Sequence, residues 1–164
     1  MNLCPWESAQ YFVYSSNIPT LFFYSHIPAM FISVFLGLLV FYKSEKSKLS
    51  KILLFISGAF FLWCFFDLIL WATNRPDIVM FFWSLQVLIE PIIFIASFYL
   101  IYFFVRQKDM SFHNSMKLLI FISPIVLFLP TNLNLIGVDS FDCTAIEGPV
   151  AQYFSYIIES FFII

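Results

Sequence analysis

The sequence predicts an all-α membrane protein, a polytopic transmembrane helical bundle of about five segments with its N-terminus outside, and three observations carry that prediction. Of its 164 residues, 62% are apolar and only 11% are charged, against about a quarter charged in an ordinary soluble domain. Apolar runs of about twenty residues recur between short polar breaks, and at about 1.5 Å per residue each can cross a hydrocarbon core of about 30 Å. The basic residues gather in alternate breaks, the pattern of a chain threaded back and forth through a bilayer. A formal net charge of −2 offers no basic surface to nucleic acid, so the lipid bilayer is the expected partner and the plasma (inner) membrane, crossed several times, the expected location.

Residues 1–17 carry Glu7, Gln10 and several hydroxyls, and no basic n-region, so they read as an external tail rather than a cleavable signal. The transmembrane domain then occupies 18–164. Its first helix runs over about 18–42, interrupted by His26 and Pro28, and stops at Lys43, Lys46, Lys48 and Lys51. The second covers about 52–72 and breaks at Thr73-Asn74-Arg75-Pro76-Asp77, turn formers that hydrocarbon does not tolerate. The third, about 78–105, exceeds the minimum span and contains Pro91, which removes a backbone donor and permits a kink. The fourth is expected over about 116–135, with Pro124 and Pro130 disturbing its outer half, and a polar loop from Gly137 to Gly148 follows. The fifth, about 149–164, amounts to about 22 Å of helix, short of a full span, which predicts that the chain continues.

Orientation follows from lysine and arginine. Lys43, Lys46, Lys48 and Lys51 lie in the first break and Arg106, Lys108 and Lys117 in the third, whereas the second has Arg75 alone. The first and third breaks are therefore predicted to be cytoplasmic. The tail and the acidic 137–148 loop, with Asp139, Asp142 and Glu147, then lie outside.

The residues supply no catalytic set: no phosphate-cradling glycine loop, no nucleophile elbow and no zinc-spaced histidines. No enzyme activity, cofactor or metal is expected of this chain. Cys64 sits within the second helix and reads as a small apolar residue. Cys4 and Cys143 both fall in external segments, where an oxidising compartment would let them pair; two separate thiols are the alternative. The sharpest signal is ionisable side chains at membrane depth, which are expensive there and commonly mark a site or pathway. His26 and Asp67 lie about 8 to 12 Å below the outer surface, and Glu90 and Glu159 about 15 to 18 Å, by helical rise. Gln86 precedes Glu90 by one turn on the same face. These five are expected to form one polar pocket in the outer half of the bundle; separate tethering of each to a nearby carbonyl or hydroxyl is the alternative.

Several short motifs, Leu62-Trp63-Cys64-Phe65-Phe66-Asp67, Phe81-Phe82-Trp83-Ser84-Leu85, Ile89-Glu90-Pro91, Pro130-Thr131-Asn132, and Cys143 followed by Glu147-Gly148-Pro149, stand in an order that resembles the N-terminal seven-transmembrane sensor region of bacterial histidine kinases. The resemblance covers the chain best from Leu53 onward. It implies a membrane-embedded sensory input domain for signal transduction, without the kinase module, that reads a small molecule or ion from the outer side and acts through a homodimer or a downstream kinase. A subunit of a transporter or channel with an acidic ion path is the competing expectation, and a ligand-free structural membrane partner is a third.

Overall fold

The computed structural model describes residues 15, 18–45, 47–139, 141 and 143–163; within it the side chains of 112–115, 118, 119, 121, 159 and 161–163 are not described. Among the described residues there are five helices and one strand pair: α1 Thr20–Lys43, α2 Lys48–Ala72, α3 Pro76–Arg106, α4 Phe112–Phe128, β1 Leu135–Val138, β2 Ala145–Glu147 and α5 Pro149–Ile163. The protein is all-α in class, and the strand pair is a minor addition. Helices α1, α2 and α3, of 24, 25 and 31 residues, are long and apolar enough to cross a membrane. They mark the chain as a membrane protein. Helices α4 and α5 are shorter, 17 and 15 residues.

The ends of the long helices have local causes. Helix α1 follows Pro19, and it closes where the Ser44 amide and hydroxyl both donate to the Val40 carbonyl, at 2.9 and 2.6 Å; Glu45 then takes a left-handed conformation, φ 51°. Ser47 caps α2 by accepting from the Ser50 amide at 3.3 Å, which starts that helix a turn earlier than the expected residue 52. The α2–α3 turn is held by Arg75 on Asp77, Nε to Oδ1 3.1 Å, and Pro76 opens α3 at a position that needs no amide donor.

The helices pack in chain order, α1 on α2 and α2 on α3. At Gly37 a Cβ would stand 2.7 Å from Ser57 Oγ and 2.9 Å from its Cβ, so the backbones approach through small residues, as is common between membrane helices. Met30, Cys64 and Leu68 form the buried core between α1 and α2, framed by Phe22, Phe60 and Phe65. Large apolar side chains such as Phe31, Phe35, Phe81, Phe98 and Phe104 point outward and are more than half exposed. Such a surface suits acyl chains, not water.

Two expectations are corrected. The fourth helix does not reach Leu135; it begins at Phe112 and ends at Phe128. Pro130 offers no amide to continue it, and the Thr131 amide and hydroxyl both turn back to the Phe128 carbonyl, at 3.0 and 2.7 Å. The expected loop after it is an antiparallel β-hairpin, Val138 opposite Ala145 and Leu135 opposite Glu147, with an irregularity between Leu135 and Gly137. Asp139 builds its turn: its side chain accepts from the Phe141 amide at 2.8 Å and its amide donates to the Thr144 carbonyl at 2.8 Å. Leu135 and Ala145 join Leu70 and Val79 in a second core, so the hairpin sits on the α2–α3 turn. A Cβ on Gly148 would stand 2.4 Å from the Leu133 carbonyl oxygen, which fixes glycine between the hairpin and α5.

Candidate functional site

Inside the apolar runs, three helices each contribute one polar side chain to a common point. Helices α1 and α2 run antiparallel from the Lys43–Lys48 turn, so residues whose numbers sum to about 94 face one another; Met30 meets Cys64 in this way, and His26 meets Asp67. The His26 Nε2 to Asp67 Oδ2 distance is 3.0 Å, with the side chains 17% and 18% exposed. From α3, Gln86 Nε2 donates to Asp67 Oδ1 at 3.3 Å. Both carboxylate oxygens of Asp67 are thereby engaged, one from each neighbouring helix.

The imidazole is held on its other side as well. Its ring stacks on Phe22, centroids 3.8 Å apart and 16° from parallel, and lies near-parallel to Trp63 at 6.4 Å. Nδ1 lies 2.9 Å from Ser25 Oγ and 3.2 Å from the Phe22 carbonyl, while Ser25 Oγ is 2.8 Å from that same carbonyl. More than one placement of protons fits these atoms, two of them with Nε2–H on Asp67. In one, a doubly protonated imidazole donates from Nε2 to Asp67 and from Nδ1 to Ser25 Oγ or the Phe22 carbonyl, and Ser25 donates to the carbonyl. In the other, a neutral imidazole keeps Nε2–H on Asp67 while the Ser25 hydroxyl turns to donate to Nδ1, giving up its bond to the Phe22 carbonyl. Both keep the Nε2–H donation that joins α1 to α2.

Of the five residues expected to share a pocket, His26, Asp67 and Gln86 are in hydrogen-bond contact. Glu90 lies one turn further along α3, half-buried, directly before the buried Pro91. Glu159 belongs to α5, and its side chain lies outside the described residues. For the expected disulfide, Cys143 is buried in the hairpin turn with φ 60°, and Cys4 lies outside the described residues. Among the described residues no three His, Cys, Asp or Glu side chains gather as metal ligands.

One polar contact was not anticipated from the residues. Trp83 Nε1 of α3 donates to Glu147 Oε1 of β2 at 3.1 Å, tying the hairpin to the helix that carries Gln86 one turn on. The signal available was Glu147 in a stretch otherwise lacking basic partners, and an indole N–H is among the few donors an apolar helix end supplies. Compared with known proteins, the chain matches no family model, no curated protein and no solved structure. The chemistry of the His26–Asp67–Gln86 node is therefore what speaks to function.

Proposed function

We propose that this chain is a sensory input domain embedded in the plasma membrane, crossing it several times with the N-terminus and the β-hairpin outside, and that it feeds a signalling partner of the histidine-kinase kind. The observation that carries this reading is the ionisable pair His26–Asp67, joined by Gln86, at the meeting point of three apolar helices. Ionisable groups at membrane depth are retained where they serve a site, and here Asp67 accepts from both neighbouring helices, so a proton or small cation arriving at its carboxylate alters the contacts of three helices together. The input is a proton or small polar ligand arriving from the outer side. Output leaves through the basic ends of α1, α2 and α3, with Pro91 next to Glu90 as the hinge.

The test compares wild type with Asp67→Asn, which keeps the shape and removes the charge, in lipid nanodiscs at a single pH. Amide hydrogen exchange in the breaks 43–47 and 107–111, at the far end of the bundle, is expected to change severalfold, while liposomes containing either protein carry no proton or cation flux. Unchanged exchange in those breaks contradicts the sensory reading. A flux abolished by Asp67→Asn contradicts it in favour of a transporter.

A further inference from the structure

At the basic end of the bundle, far from the His26 node, α2, α3 and α4 border a groove of about 610 Å³. Its walls are apolar: Ile52 and Phe55 from α2, and Ile95 and Ala96 from α3, with Ile122 of α4 alongside. From Ile92 to Tyr99 the groove follows about 10 Å of helix. Two lysines, Lys48 and Lys51, stand at its end on one face of α2, three residues apart.

These lysines are not equivalent. Lys48 bonds to Asp109, whose other partner is the Tyr99 hydroxyl at 3.1 Å, and its ammonium lies 5.9 and 5.6 Å from the ring centres of Tyr99 and Phe103. The Lys48 ammonium, and then the Tyr99 hydroxyl, hold the Asp109 carboxyl below the usual carboxylate range, so Asp109 stays ionised and keeps Lys48 occupied. Lys51 is exposed and enters no ion pair among the described residues. A cation in no ion pair among the described residues thus stands at the end of an apolar trough.

We propose that this groove seats an anionic glycerophospholipid, one acyl chain lying along Ile52, Phe55, Ile95 and Ala96 and the headgroup phosphate resting on the Lys51 ammonium. The charge complements an anionic headgroup, and the apolar walls accept a chain that a soluble phosphate does not bring. A zwitterionic lipid offers the same chain but carries its own ammonium beside the phosphate, so Lys51 discriminates against it. One lysine near a membrane surface favours an anionic lipid by about fivefold. The site lies at the other end of the helices from Asp67 and does not depend on the sensory reading.

The experiment titrates the full chain in neutral detergent with phosphatidylglycerol, phosphatidylcholine or glycerol phosphate, and follows the shift in unfolding temperature together with bound lipid by native mass spectrometry. Wild type is expected to bind phosphatidylglycerol about fivefold more tightly than phosphatidylcholine, and glycerol phosphate is expected to produce no shift. Lys51→Gln removes an exposed, ion-pair-free ammonium and should leave the unfolding temperature without lipid unchanged while equalising the two lipids. Ala96→Phe, which fills the groove, should weaken both. A preference for phosphatidylglycerol that survives Lys51→Gln overturns the proposal. So does the absence of any preference in wild type, or a glycerol phosphate shift as large as that of phosphatidylglycerol.

Discussion

Asp67 could not hold its place in an apolar bundle without partners, because an uncompensated carboxylate there costs several kcal/mol. His26 and Gln86 supply one contact to each of its oxygens. These residues were legible in the sequence for a simple reason: an ionisable or amide side chain inside an apolar run is conspicuous, and helical rise alone put His26 and Asp67 at one depth. The Trp83–Glu147 bond was not legible, because a tryptophan near the end of a membrane helix already has a sufficient explanation at the headgroups. Its weight can be measured. Trp83→Phe keeps a ring in the contact with the hairpin and removes the donor, leaving Glu147 Oε1 without it, and should cost about 1 kcal/mol of stability in detergent. Glu147→Gln, which retains an acceptor, should cost less; no loss for Trp83→Phe would show that the bond contributes nothing.

At the scale of elements, the three long helices could be read from apolar length and their breaks from Lys, Asn, Pro and Asp, with ends displaced by one to four residues where Ser47 or Pro76 start a helix early. The hairpin could not. Strands of four and three residues are too short to establish a period of two, and the Asp139 side-chain turn that closes them depends on backbone contacts the sequence does not display. Nor did apolar composition distinguish a continued α4 from the turn after Phe128. Close packing of α1 on α2 depends on Gly37, since the lipid supplies little drive for helices to associate and van der Waals contact must do so. Gly37→Ala places a methyl group against Ser57 and should destabilise the protein by about 1 to 3 kcal/mol. Adding Ser57→Gly should restore most of that loss. Denaturation in mixed micelles reads both variants, and an unaffected Gly37→Ala protein would mean that the helices slide apart at no cost.

For the whole molecule, the node and the hairpin divide the work of holding α1, α2 and α3. The hairpin covers the α2–α3 turn through Leu135, Ala145 and Trp83, whereas α1 meets α2 through the Gly37 contact, the Met30 core and the His26–Asp67 pair. At Asp67 polar side chains of all three long helices converge. That convergence couples the three helices at one carboxylate. It can be tested on His26 and Gln86, which lie on α1 and α3 and communicate through the Asp67 carboxylate between them. The measurement is a double-mutant cycle on bundle unfolding with His26→Ala, Gln86→Ala and the pair. Losing one partner changes what the other can contribute at Asp67, and the predicted coupling is about 0.6 kcal/mol or more, in the range found for polar contacts between membrane helices. Strict additivity, within about 0.3 kcal/mol, would show no coupling through Asp67 and leave His26 and Gln86 as separate packing devices.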